Sequence, residues 1–238
     1  MKDADLHKRF IAIPVLFLAF LVAIAPVNAA KTRVWRIDYV NYRNLIPGKT
    51  SVCLSPLAIK ISDDRGYQLT ACAPTWEAVV VNPQAHMYCV VPEKLWRSYG
   101  FFGNKDDADI GKITKQSTLF FLNQPAKQLE WNSEILDGFY QVHSPAEKCA
   151  GVLIEATNIP CLAVQLKLIN AWFGIKDLDA IPLVLGHRRS NGATSSSMHA
   201  TAISKELRDM ALSIPKEYKR VSKLRDLVAF PNADRAID

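Results

Sequence analysis

The chain has 238 residues, a formal net charge of +6, and 49% hydrophobic against 22% charged residues. That apolar share is enough for a buried core and excludes a disordered, highly charged chain. The mild basicity is spread along the sequence and lacks the basic-aromatic motif of a nucleic-acid binder, so no nucleic-acid partner is expected.

The first element is a leader. Lys2, His7, Lys8 and Arg9 give a basic start, residues 10–27 form an apolar run, and Val27-Asn28-Ala29-Ala30 is a small-residue exit. This is the pattern of a secretory signal, with cleavage after Ala29. Pro14 and Pro26 within the run argue against a retained anchor, and no second apolar stretch approaches spanning length. The expected organisation is a signal peptide at 1–29 and a single domain at 30–238, periplasmic or secreted.

Residues 34–39 alternate apolar and charged side chains, the period of a half-buried strand. Residues 44–49, with Pro47-Gly48, read as a turn. Residues 52–61 read as a second strand, closed by the turn Asp63-Asp64-Arg65-Gly66. Residues 67–73 return, Pro74-Thr75 turns, 76–81 run back, Asn82-Pro83-Gln84 turns, and 85–91 follow. Extended segments joined by such short loops make an antiparallel meander. Pro92 and Glu93 suit the first turn of a short helix to residue 99, and a polar loop fills 100–111. Strands resume at 117–122, 128–131, 139–143 and 151–156. Beyond Pro160 a helix is expected, with Leu162, Leu166, Ile169 and Phe173 on one face and Gly174 as its stop. Residues 181–188 and 196–205 form a hairpin around Asn191-Gly192, and the tail ends in a short helix to Val228. The fold class is therefore α+β: a curved antiparallel sheet with helices covering one face, the 162–173 helix foremost. A loose fit of that helix would leave an apolar cavity over the sheet.

Cys53, Cys72, Cys89, Cys149 and Cys161 all follow the leader. No C-x-x-C occurs, so neither a redox motif nor a ribbon-type zinc site is indicated. With the turns placed as above, Cys72 faces roughly Leu57 and Cys89 roughly Ala78. That leaves Cys149 with Cys161 as the candidate disulfide, the alternative being five small buried thiols. His86, His143, His187 and His199 are dispersed and form no H-x-x-x-H or H-E-x-x-H, so no metal or other cofactor is expected. Ser195-Ser196-Ser197 lies near His187 and His199 without a G-x-S-x-G elbow, and no catalytic residue is assigned. Asp106, Asp107 and Asp109 resemble part of a calcium loop without its closing glutamate. Lys216, Lys219, Arg220, Lys223 and Arg225 would suit a peripheral contact with an anionic membrane surface, or simply water. Trp35, Tyr39, Trp76, Tyr88 and Phe120 on strands, with Phe173 on the helix, are the candidate ligand-lining residues. Large aromatic side chains of this kind either fill a core or line an apolar cavity.

Three segments carry a family likeness: Ser55-Pro56-Leu57-Ala58-Ile59-Lys60-Ile61, then Trp76-Glu77-Ala78-Val79-Val80-Val81-Asn82-Pro83 followed by Tyr88, and the closing run from Ile214 to Val221. With the order of elements, they resemble the periplasmic lipoprotein-localisation (LolA-type) half-barrel superfamily, including its families of unassigned role. The abundance of Cys departs from the lipoprotein carrier itself. The resemblance implies a half-barrel and an exported, non-enzymatic protein that shelters a lipid or lipoprotein acyl chain. Two other readings stay open: an exported hydrolase whose site assembles only in space, and a structural or interaction module with a filled core.

Overall fold

The computed structural model describes residues 31–43, 46–99, 110–135, 147–175 and 178–228. The expected leader, the Asp106-Asp107-Asp109 loop, His143 and the strand expected at 139–143 lie outside the described residues.

Twelve strands form one sheet: β1 (Thr32–Arg43), β2 (Ile46–Ser55), β3 (Ala58–Asp63), β4 (Gln68–Cys72), β5 (Ala78–Asn82), β6 (Met87–Val91), β7 (Ile113–Phe121), β8 (Gln124–Ile135), β9 (Glu147–Ala156), β10 (Ile181–Arg188), β11 (Thr194–Arg208) and β12 (Lys219–Val221). Three short helices accompany them among the described residues, α1 (Glu93–Tyr99), α2 (Ala163–Phe173) and α3 (Leu224–Val228). Strands β1 to β6 lie side by side in chain order, as do β7 to β11, and the two meanders join where β1 pairs with β11. Every pairing is antiparallel except that of β12 on β6, so the sheet is mixed. It is curved and open, with β7 and β12 at its two ends.

Alternation along the strands gives the sheet two faces. Ile37 opposite Val52 and Trp35 opposite Leu54 share one face, while Val34, Arg36 and Asp38 point to the other. The first face carries the main core, where Ile37, Val52, Ile59, Ile61, Leu69 and Val80 are fully buried together with Leu168, Ile169 and Trp172 of α2, Trp96 of α1 and Leu227 of α3. Burying each such aliphatic side chain is worth about 1.5–3 kcal/mol. A satellite cluster on the opposite face joins Val34, Cys53 and Ala58 to Met210, which follows β11; Cys72 packs against it and its Sγ donates to the Met210 carbonyl (3.8 Å).

The structure corrects several expectations. Residues 52–61 are two strands: Pro56-Leu57 turns, and Ser55 pairs with Ala58. Pro56 has no N–H to give a ladder, but the apolar Leu57 disguised the turn, and in the fold it is 68% exposed. The turn expected at 44–49 also gives way, because Pro47 and Gly48 pair in β2 with Tyr42 and Asn41. Residues 83–86 all belong to the next turn, so Cys89 faces Val80 instead of Ala78, and Cys72 faces Ala58.

The helix after Pro160 forms, and Gly174 ends it at φ 67, a left-handed conformation that suits glycine. Its phase differs from expectation. The buried face is Gln165, Leu168, Ile169 and Trp172, while Leu162 is 46% exposed. Two apolar stripes about 100° apart compete on this helix. The one bearing the large Trp172 ring wins because Gln165, within it, finds partners for its amide.

Candidate functional site

Gln165 organises the region where helix and sheet part. Its Nε2 donates to the carbonyls of Ser55 (2.8 Å) and Ala58 (3.1 Å), and its Oε1 accepts from the Leu162 N–H (2.9 Å). One buried amide thus ties the start of α2 to the β2–β3 turn through three backbone groups.

Beside this tie lies a cleft of about 600 Å³. Trp35 and the buried Leu54 contribute from the sheet, Pro56 from the turn, and Pro160, Cys161 and Leu162 from the helix entry, with the exposed Arg33 and Lys205 at its edge. Lys205 Nζ stands 4.2 Å from the centroid of the Trp35 ring, within cation–π range. The volume falls within the roughly 300–1,000 Å³ typical of small-molecule sites, and an apolar wall with a few polar groups is their usual chemistry. Burial pushes the Cys161 thiol up to about 12, and its Sγ contacts the Leu162 carbonyl at 3.6 Å. At neutral pH the cleft therefore presents a protonated thiol, which is a poor nucleophile.

A second cleft of about 480 Å³ lies between Pro92, Glu93, Lys94 and Trp96 of the α1 region and Lys167 of α2. Lys167 and Glu93 are bound to each other across 2.8 Å, and the Trp96 indole donates to the Val91 carbonyl (2.9 Å). Lys167, Glu93 and the Trp96 indole are thus already engaged.

Of the six expected ligand-lining aromatics, Trp35 alone lines the larger cleft. Tyr39 is 1% exposed, its hydroxyl donates to the Pro182 carbonyl (2.9 Å), and its ring meets Phe173 at 5.1 Å. Tyr39 belongs to the core, and the partly buried Phe173 packs against it. Burial accordingly pushes the Tyr39 phenol well above its usual range. Trp76 packs against the core from the turn before β5, Tyr88 stands in β6 opposite Val81 and Arg220, and Phe120 is 77% exposed on β7. Strand alternation assigned a face to each strand residue but did not reveal which residues of that face belong to the core. Pro56, Pro160, Leu162 and Gln165 went unnoticed. The prolines flanking apolar residues were the available signal, and the misjudged helix phase concealed the other two.

No disulfide joins Cys149 to Cys161. Cys149 lies opposite Ser133, and β9 then runs on to Ala156 before Cys161 is reached. That extended run covers about 23 Å at ~3.3 Å per residue, and Cys161 follows it at the entry to α2.

The buried carboxylates have structural partners. Glu155 pairs with Lys127 (3.0 Å) and accepts from the N–H groups of Asp179 and Ala180. Burial raises the Glu130 pKa, but hydrogen bonds from Gln128 and Arg188 and the charges of Arg188 and Lys115 outweigh it and hold the group below its usual range. Asp63 and Asp64 close their turn by accepting from the N–H groups of Tyr67 and Lys49. Ser196 Oγ and His199 Nδ1 are 3.3 Å apart on β11, and His187 lies opposite Ser195. Among the described residues no group of three or more His, Cys, Asp or Glu could hold a metal ion. Lys216, Lys219, Arg220 and Lys223 are exposed.

No protein-family model and no curated protein matches the chain, so the reading of the site rests on its own residues.

Proposed function

We propose that the protein is an exported, non-enzymatic binder of a lipid or acyl group, whose hydrocarbon enters the cleft at the start of α2. In this reading the sheet is a half-barrel of the resembled LolA-like kind, and the helices cover its concave face. The buried cluster that α1, α2 and α3 share with the strands supports that arrangement. The leader supports a periplasmic or secreted location. The observation that carries the reading is the apolar cleft itself, bounded by Trp35, Leu54, Pro56, Pro160 and Leu162.

The space beneath the middle of α2 is taken by Tyr39, Leu168, Ile169 and Trp172, so the ligand is held at the helix entry and not deep under the helix. Each CH₂ removed from water is worth about 0.8 kcal/mol, so two further carbons within the cleft tighten binding about 15-fold. The test is native mass spectrometry of the exported protein purified without detergent, followed by titration with hexadecanoate read through tryptophan fluorescence. A co-purifying lipid mass, and a fluorescence change lost in Trp35→Phe, are expected. A clean apo mass with no uptake of offered lipid would refute the proposal.

A further inference from the structure

We infer that the cleft selects an acyl chain carrying an anionic head, a carboxylate or a phosphate, received between Arg33 and Lys205; this rests on the acyl-binding reading above. The two residues come from neighbouring strands. Arg33 stands opposite Leu207 and Trp35 opposite Lys205, so Arg33 and Lys205 are diagonal neighbours on one face of the β1–β11 pair. Diagonal neighbours in an antiparallel pair lie about 7–8 Å apart, close enough for like charges to repel and for one bound anion to meet both. Both line the cleft, and no Asp or Glu is among the described residues that line it.

The acidic residues nearest on these strands are turned away. Asp38 and Glu206 alternate onto the opposite face, where Arg36 bonds Asp38 (2.9 Å) and Glu206 pairs with Arg36 (3.7 Å) and Arg208 (2.6 Å). The positive charge at the cleft therefore has no carboxylate of this chain to neutralise it among the described residues. Lys205 is also positioned: the Trp35 ring holds its ammonium at the wall where an apolar chain would lie. The start of α2, the positive end of its dipole, opens on the same cleft and has no acidic residue in its first turn. Two cations and a helix start converge where hydrocarbon gives way to water, which is the layout that suits an amphiphile with one negative head. Arg33 offers a planar fork for two anion oxygens, and Lys205 a point charge.

The experiment compares hexadecanoate, hexadecyl phosphate and hexadecanol on the wild type, Lys205→Gln and the Arg33→Gln/Lys205→Gln pair, with inorganic phosphate alone as a further ligand. Both side chains are exposed, and denaturation midpoints confirm that the variants remain folded. At least tenfold tighter binding of the anionic amphiphiles than of hexadecanol is expected, falling toward the hexadecanol value in the double variant. The ratio of carboxylate to phosphate binding tells which head is preferred. Equal binding of hexadecanol and the anions, unchanged in the variants, would overturn the head-group inference and leave the acyl reading standing. Binding of inorganic phosphate that depends on the two cations, with no uptake of any long chain, would overturn the acyl reading and leave an anion site. Failure of all four ligands would overturn both.

Discussion

Replacing Gln165 with Leu removes three hydrogen bonds at almost constant volume, and the structure indicates how unequal their losses are. The Leu162 N–H lies at an exposed helix entry and can turn to water once Oε1 is gone. The carbonyls of Ser55 and Ala58 belong to buried residues that face each other in the β2–β3 ladder, and both lose the amide as a donor; Ala58 also accepts from the Ser55 hydroxyl at 3.4 Å. Each buried bond lost costs about 1–1.5 kcal/mol and the exposed one less than about 1, so the total is about 3 kcal/mol. For a domain of this size that corresponds to a fall of roughly 6–12 °C in Tm. Gln165→Glu should be worse, because its carboxylate keeps the Leu162 contact but faces two carbonyl oxygens. Urea denaturation of the three proteins at pH 7 decides the matter, with the slope m as a check that the folded state is the same. A Gln165→Leu variant within 1 kcal/mol of wild type, or a Gln165→Glu variant no less stable than it, would refute the claim that this amide ties α2 to the β2–β3 turn.

Gly151→Ala should destabilise by several kcal/mol or prevent folding, since a Cβ there would stand 2.1 Å from the Trp131 ring; a normal denaturation midpoint would show that the ring can move aside. His187 has its pKa lowered by burial, so the folded state resists its protonation: stability is intact above the ordinary value of about 6.5 and declines as pH falls from there through the lowered value. Midpoints measured from pH 7.5 to 5 should change less in His187→Gln, and identical profiles would remove His187 from the account. With its thiol held near 12, Cys161 should be alkylated slowly in the native protein at pH 8, where only about one molecule in ten thousand carries the thiolate; peptide mapping after brief iodoacetamide treatment that finds it fully modified would contradict this. Leu162→Ser should hold or raise stability by up to about 1 kcal/mol while weakening acyl binding, and unchanged binding would move the ligand away from the helix entry.

The sequence made most of the turns legible because they depend on local chemistry. The Asp63 to Gly66 turn and the hairpin around Asn191-Gly192 form as expected, and Gly174 stops α2. What escaped depends on distant partners. Nothing local in β1 indicates that it pairs with β11, and nothing in residues 219–221 indicates a parallel edge beside β6. The phase of α2 was ambiguous for the same reason: Leu162, Leu166 and Phe173 are as apolar as Leu168 and Trp172, and Gln165 became a core residue only because two carbonyls from residues more than a hundred positions earlier meet it. Trp35 was expected to face a ligand and lines the cleft, whereas Tyr39, expected to do the same, is a core residue with Phe173 packed against it.

Departures from local stability rules gather at one place. The N-cap of α2 is Leu162, where Ser, Asp or Asn would stabilise the helix by about 1 kcal/mol. Leu57, in the neighbouring turn, and Leu207, opposite Arg33, are more than half exposed. Arg33 and Lys205 share a strand face on which an opposite charge would have been favourable. Elsewhere the same sheet satisfies such rules: Glu130 has three polar partners, Glu155 caps two backbone N–H groups, and burial alternates around Ile37 and Ile61. Folds tend to concede stability where a site requires it. An apolar N-cap and two cations without a carboxylate among the described residues lining their cleft are hard to explain by packing, and the proposed anionic amphiphile would give both a use.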